Sequence, residues 1–417
     1  MRQNLVRNLQ QRNGGQTMLI FVLFMVVLFL FAGLGIDLGF AYITRARLSK
    51  AVDSAALAGA RNAGKGTLTT AITIADNAFH VNYGVSGRDV TPPVPQAAFS
   101  NDAAGNLLLG VTAATSINTF FIRVLPQWST LTVGSAATAL RSKIVLSLVL
   151  DRSGSMKSND GWTKLPPAVD QFIDLFYEGY DRASMSSFAS GATTDVPMET
   201  NFKTDIENAA NALVFDGDTC SDGGMTNGLA QNAPVVINPG ESVVKVIVFF
   251  TDGMANTFYY NLDCGARDIG FNGPSLFDPV TGASANSGCN VPKELDSIDP
   301  TTGNITPGVV DKTSCYDLHV EAQKRARRIA WLARNQGIIV YSIGMGTLGK
   351  PGECINQFPV LNPDFLKDMA NTPDAPDYDS SKQQAGYSGD YAIATDSSEL
   401  NQAFQTIAGK ILLRLTR

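Results

Sequence analysis

Met18 to Ile36 (MLIFVLFMVVLFLFAGLGI) is an unbroken apolar run without a charge. At ~1.5 Å rise per residue it spans about 28 Å, close to the hydrocarbon thickness of a bilayer. A cleaved signal peptide would have a shorter apolar core followed by a small-x-small cleavage site. Here the run is full length, and helix-favouring sequence continues through Tyr42 to Ala51. The reading is an uncleaved membrane anchor rather than a signal peptide or a buried core helix. Beyond it, Leu48, Ala51, Val52, Ala55, Ala56 and Gly59 recur at helical spacing and form a stripe of mostly small residues. Such a stripe packs on its own domain or on a partner helix, and the sequence leaves both open.

The rhythm then changes. Thr67 to Val81 reads as a second helix, and Pro92, Pro93 and Pro95 mark a loop. Asn106 to Ala114 and Ser129 to Leu140 read as strands. A small α+β, pilin-like unit fits, with His80 structural. From Lys143 strands and helices alternate. Ile144–Leu150, Ala183–Ala189, Val243–Phe250, Gly337–Ile343 and Tyr391–Ala394 read as strands. Leu165–Tyr180, Lys203–Leu213, Leu318–Gln336, Asp364–Asn371 and Ser398–Leu413 read as the helices between and after them. This predicts an α/β fold with a doubly wound, mostly parallel, Rossmann-like sheet, which binds ligands at the carboxyl ends of its strands. An insertion of about Met254 to Asp317, rich in Asn, Gly, Asp, Pro and Ser, emerges beside those ends.

Composition narrows the function. Charged residues make up 17% of the 417, the net charge is -6, and no long basic run exists, so nucleic-acid binding is excluded as a default. Lys324, Arg325, Arg327 and Arg328 read as the solvated outer face of a helix. The five cysteines, Cys220, Cys264, Cys289, Cys315 and Cys354, form no CxxC pair, and only two histidines accompany them. Disulfides in an oxidising compartment therefore fit better than a zinc site, with the odd count leaving one thiol. All five map to the rim at the strand ends, and the insertion reads as a disulfide-held roof that selects partners, against the plainer alternative of a solvated excursion. Arg2, Arg7 and Arg12 precede the apolar run, while Asp37, Arg45, Arg47 and Lys50 follow it. The flanking charges are nearly balanced, so the cysteines decide the orientation. The N-terminus is expected in the cytoplasm and the C-terminal domain outside it, on a single-pass membrane protein.

Three segments carry the candidate chemistry: Asp151-Arg152-Ser153-Gly154-Ser155, Gly223-Gly224-Met225-Thr226-Asn227 and Thr251-Asp252-Gly253. They supply two carboxylates and three hydroxyls to one sheet edge, an oxygen donor set suited to a hard divalent cation. Gly154 permits the turn that aims Asp151, Ser153 and Ser155 at one point. No GxSxG elbow, phosphate-binding GxxxxGK[ST] loop or HExxH occurs, and His319 lies across the insertion from the serines. No catalytic residue is assigned.

Two resemblances follow from these residues. The run from Gly35 to Arg61, with its Asp37, Gly39, Tyr42, Arg45, Leu48, Ala51, Asp53 and AALAGA, resembles the N-terminal module of TadG-like proteins of the Flp (tight adherence) pilus machinery. The DxSGS, GGxTN and TDG segments resemble the metal-ion-dependent adhesion site (MIDAS) of the von Willebrand factor A family, with Met225 interrupting its commoner Gly-Gly-Thr run. That resemblance implies that Asp151, Ser153, Ser155, Thr226 and Asp252 ring a metal ion, magnesium first, with manganese or calcium as alternatives. It also implies a protein partner that supplies an acidic side chain to the ion. The TadG-like module implies contact with other pilus-assembly membrane proteins through the N-terminal helix. The expected division is 1–62 anchor and extending helix, 63–143 small α+β region, and 144–417 A domain with the insertion at about 254–317. A metal-dependent adhesion or assembly protein of Flp pilus biogenesis or surface adherence is expected. The alternative is an A-domain subunit or scaffold of an ATPase-linked envelope complex.

Overall fold

The computed structural model describes the chain except residues 1, 85–88, 125, 159, 263–264, 271–274, 278–291, 350–359, 382–383, 385 and 415–417, with side chains also left out at 2–16, 261–291 and 350–360. Cys264, Cys289 and Cys354 therefore lie outside the described residues. The chain forms two compact units, one of residues 1–60, 69–100 and 108–139, the other of 61–68, 101–107 and 140–417.

In the first unit, helix α1 (Arg2–Arg61) carries the apolar run on its N-terminal half. Among the described residues it is the one helix long and apolar enough to cross a membrane. Its large apolar side chains from Met18 to Leu38 are exposed. Its C-terminal half packs differently. Leu48, Ala51, Val52, Ala55, Ala56 and Ala60 are buried against helix α2 (Leu68–Tyr83) and a sheet of β1 (Gln96–Asn101), β2 (Leu107–Asn118) and β3 (Thr130–Arg141). The small-residue stripe thus packs on its own unit. Its last member shows why it is small: a Cβ on Gly59 would meet Leu109 at 2.3 Å and Ala75 at 2.9 Å. Strand β2 alternates buried and open positions, as a sheet with one covered face requires. Strand β1 was not foreseen; it starts directly after the Pro92–Pro95 loop.

The second unit is built on a six-stranded sheet. Its strands are β4 (Lys143–Asp151), β5 (Arg182–Phe188), β6 (Ala192–Glu199), β7 (Val243–Thr251), β8 (Ile338–Met345) and β9 (Tyr391–Ala394), in the order β9-β8-β7-β4-β5-β6. All neighbours run parallel except β6, which pairs antiparallel with β5 at the edge. The doubly wound expectation holds, with β6 added. One face carries Leu146, Leu148 and Leu150 into a core with Leu165, Phe172, Ile206 and Phe404. The other carries Val149, Ile247 and Phe249 against Met225, Ala326, Ala330 and Phe365. The helices on these faces are α4 (Gly161–Ile173), α5 (Lys203–Asn211), α6 (Ser221–Asn232), α7 (Cys315–Asn335), α8 (Pro363–Ala370) and α9 (Leu400–Leu413), with a single turn α3 (Ser155–Ser158) before them.

The insertion has a fold of its own. Tyr259–Leu262, Gly265–Gly270 and Ser275–Phe277 form an antiparallel three-stranded sheet, and Glu294–Ile298 pairs antiparallel with Ile305–Asp311. A satellite core of Ala255, Phe258, Tyr260, Leu295 and Val310 closes on Leu318 and Ala322 of α7. Arg325 sits at its centre: it donates to Glu321 at 2.8 Å, to the Tyr259 carbonyl at 2.9 Å and to the Asp296 carbonyl at 3.1 Å. Its guanidinium lies 4.7 Å from the centre of the Phe258 ring. Lys324 donates to Ser297, Arg327 pairs with Asp368 and Asp377, and Arg328 bonds the Thr301 carbonyl. The basic run is therefore not a solvated face. These side chains are half-buried and tie α7 to the insertion and to the segment after α8. Apart from Glu321, four residues before Arg325 on the same helix, their partners are distant in sequence, so charge patterning along the helix could not reveal them.

Candidate metal centre

Strands β4 and β7 are parallel neighbours with Leu150 opposite Phe250, so Asp151 and Thr251 come next, side by side, as both strands end. Thr251 Oγ1 donates to Asp151 Oδ2 at 2.6 Å, and the Ser153 amide donates to Asp151 Oδ1 at 2.8 Å. The turn after β4 is pinned from two sides. The Arg152 amide donates to the Phe188 carbonyl at 2.9 Å, and the Gly154 amide to the Gly217 carbonyl at 2.9 Å. Gly217 adopts a φ of 85°, which L side chains rarely accept, and a Cβ on Gly154 would crowd its carbonyl at 3.3 Å. Glycine at 154 is thus explained by this close neighbour.

The turn delivers two hydroxyls. Ser153 and Ser155 lie 2.8 Å apart at their Oγ atoms, and Ser155 Oγ donates to Asp252 Oδ1 at 2.6 Å. Asp151 and Asp252 are fully buried and Ser153 is 1% exposed. Four of the five expected side chains, Asp151, Ser153, Ser155 and Asp252, are thereby joined in one chain of hydrogen bonds. Burial pushes the Asp151 carboxyl up from its ordinary value, opposed by the bonds from Ser153 and Thr251. Buried carboxylates that receive hydrogen bonds from hydroxyls and an amide are costly to keep ionised without a counter-charge. The donors are oxygen throughout, and no group of three His, Cys, Asp or Glu converges among the described residues. The set fits a hard cation with water in its remaining positions.

Thr226 is placed differently. Gly224 and Gly228 face the sheet, where a Cβ would meet Phe188 at 2.4 Å and Val149 at 2.4 Å respectively. At ~100° per residue, Thr226 falls on the opposite side of α6. Its side chain is exposed, and its hydroxyl donates to the Asp222 carbonyl one turn back at 2.7 Å. Ser221, one turn before Gly224 and so on the sheet side, is fully buried, and its Oγ has no hydrogen-bond partner among the described residues. Sequence reasoning missed Ser221, and it missed Thr251 as the hydroxyl that fixes Asp151.

The root of the insertion stands beside the start of α6. Asp222 accepts the Tyr259 amide at 3.0 Å and the Cys220 thiol at 3.3 Å. Burial pushes the Asp222 carboxyl up to about 6, against the pull of the Tyr259 amide and Arg325. The Tyr259 ring lies where a Cβ on Gly223 would be, at 2.7 Å.

Residues 146–254, which contain both strand ends and the start of α6, match the von Willebrand factor type A domain. That stretch lies in the second unit, whose α/β sheet is of the same kind. Residues 15–62 match the putative Flp pilus-assembly TadE/G-like family. Among solved structures, the chain is similar to the vWF domain of the type V pili tip protein Mfa5 from Porphyromonas gingivalis, at 14% identity and a TM-score of 0.42, covering 66% of this chain and 97% of that one. It is similar to the pilus adhesin SpaC from Lactobacillus rhamnosus GG at 14% identity and a TM-score of 0.40, covering 78% of this chain and 34% of that one. It is also similar to proximal thread matrix protein 1 from the mussel byssus, solved with a zinc-occupied MIDAS, at 15% identity and a TM-score of 0.36, covering 66% of this chain and 47% of that one. No curated protein matches.

Proposed function

We propose that this chain is a membrane-anchored, extracytoplasmic adhesion or assembly protein of Flp pilus biogenesis or surface adherence. It takes an acidic side chain from a protein partner through one divalent cation. The observation that carries this reading is the hydrogen-bonded set of Asp151, Ser153, Ser155 and Asp252 at the ends of β4 and β7. A match to the pilus-assembly family covers residues 15–62 of the same chain. Thr226 is the fifth ligand by the family pattern, and Ser221, with its buried unpartnered hydroxyl, competes for that place. Magnesium suits the oxygen donors first, with manganese or calcium as alternatives. When bound, the ion supplies the counter-charge for Asp151 and Asp252 and a position for the partner's carboxylate. The chain's own residues do the rest. Thr251 and the Ser153 amide orient Asp151, and the rooted insertion shapes the approach to the rim.

The exposed apolar half of α1 supports single-pass anchoring, and the cysteines of the second unit support a domain outside the cytoplasm. Disulfides among these cysteines are proposed to hold the insertion. The site binds and does not turn over substrate. The test is made in cells that produce the protein. Asp151→Ala should leave the amount of membrane-inserted protein unchanged and abolish adherence, and EDTA should reproduce that loss in the wild type. Adherence at wild-type level in the variant would sink the proposal.

A further inference from the structure

The loop between β2 and β3 in the first unit exposes an unusual set of side chains. Phe120 is 55% exposed, Phe121 45%, Val124 76% and Trp128 53%. A soluble surface rarely carries so many large apolar groups together without a partner. What surrounds the loop identifies that partner. A Cβ on Gly33 would lie 2.5 Å from the Phe121 side chain, so the ring rests directly on α1. Gly33 lies within the last turn of the apolar run that ends at Ile36. The next residue, Asp37, is 3% exposed. Its carboxylate accepts the backbone amides of Phe120, Phe121 and Ile122 at 2.8, 3.0 and 2.9 Å. The loop is therefore clamped to the helix at the level where the run stops, and its exposed rings continue the exposed apolar surface of α1.

We infer that residues 119–124 and 126–129 form a second membrane contact, with Phe120, Phe121, Val124 and Trp128 seated in the interfacial layer of the bilayer that α1 crosses. The inference rests on the reading of α1 as a membrane span. The physics is consistent at each point. Aromatic side chains concentrate at the headgroup level, where an apolar ring and a polar edge are both satisfied. A carboxylate one residue past an apolar span is costly at the hydrocarbon boundary unless paired, and three amides pair this one. The same bonds satisfy backbone groups that would otherwise face lipid. Asp37 is thus a positioning residue for the loop. Two contacts instead of one would fix the rotation of α1 about its axis, and with it the face that the first unit turns to the membrane.

The test uses the full chain in phosphatidylcholine vesicles whose acyl chains are brominated either near the headgroup or near the chain end. Trp162→Phe and Trp331→Phe leave Trp128 as the single tryptophan of the three in the chain. Trp128 emission should be quenched at least about twofold more by the shallow bromines than by the deep ones. A separate reporter, Phe24→Trp with all three native tryptophans replaced by phenylalanine, should show the opposite order. If Phe24→Trp is quenched by deep bromines while Trp128 is not quenched at all, the loop is in water or against protein and the inference falls while the anchor stands. If neither is quenched, the anchor reading itself has failed and the inference goes with it. Trp128 quenching that weakens as protein is concentrated in the vesicles would show a second copy covering the loop instead, which also overturns it.

Discussion

Replacing Asp151 by asparagine separates charge from shape at the candidate metal centre. The carboxylate makes two bonds, from the Ser153 amide at 2.8 Å and from Thr251 Oγ1 at 2.6 Å. An asparagine carbonyl can keep the first. Its amide can donate to Thr251 Oγ1, whose own proton then goes to the Gly253 carbonyl, already 3.1 Å away. The local bonds survive and only the charge is lost. Asp151 is fully buried rather than lying on an open loop, which is why the isosteric change is more informative than truncation. Without a cation the wild type keeps Asp151 and Asp252 buried at one edge, so Asp151→Asn should be at least as stable in EDTA. With magnesium at 100 times its dissociation constant, the wild type should gain about 2.7 kcal/mol by mass action. For a domain of this size that is a rise in melting temperature of about 5–10 °C. Asp151→Asn should show almost none of it. Differential scanning calorimetry on the full chain in detergent, with and without magnesium, manganese or calcium, makes the comparison. A wild type indifferent to all three ions, or a variant that rises as far as the wild type, refutes the reasoning.

The fifth ligand can be assigned by paired variants: Ser221→Ala and Thr226→Ala are titrated with magnesium, and the one that weakens binding names the residue. No loss of affinity in either would remove both from the site. His319, held near pKa 4 instead of 6.5 by burial, makes the folded state reluctant to take a proton that the unfolded chain takes readily, so it lowers stability as pH falls from 6.5 to 4. Asp222, pushed up to about 6, works in the opposite direction. His319→Gln should therefore gain about 3 kcal/mol relative to the wild type on going from pH 7 to pH 4, read from urea unfolding, and an unchanged difference would show that His319 is not buried neutral. For the cysteines, the expected pattern is two disulfides and the Cys220 thiol. Denatured, unreduced protein should then show one reactive thiol, and five before reduction would remove the disulfides from the account.

The parts of this molecule that were legible in the sequence are those whose physics is local. The apolar run of α1, the continuous apolar strands β4, β7 and β8, and the small-residue stripe each carry their periodicity within a short window. Strand β6 escaped because its burial barely alternates and it contains Asp195 and Pro197, both tolerated at an antiparallel edge and neither suggestive of a strand. The site was legible for a related reason. Three of its four joined residues lie within one turn, and the fourth follows an unmistakable buried strand. The rotation of α6 was not legible, because it is set by Gly224 and Gly228 against Phe188 and Val149, contacts that only the assembled sheet provides.

What remained hidden are the charges that act at a distance. Asp37 reads in sequence as one flanking charge among several, yet its carboxylate is spent on three amides more than eighty residues away. Arg325 reads as one member of a solvated basic run, yet it gathers Glu321, the Tyr259 carbonyl, the Asp296 carbonyl and two aromatic rings into the root of the insertion. Asp37 organises the amides of an irregular loop, and Arg325 takes carbonyls from an edge strand at Tyr259 and a register shift at Asp296; each is a place where the backbone lacks a full regular ladder. The same logic links Arg325 to the metal centre. Arg325 holds the carbonyl of Tyr259, and Asp222, at the start of α6, holds its amide. One peptide segment is thus gripped from the insertion side by a cation and from the site side by an anion. A partner that bears on the insertion would load this segment first, and through it the N-terminal turn of α6, where Ser221 lies.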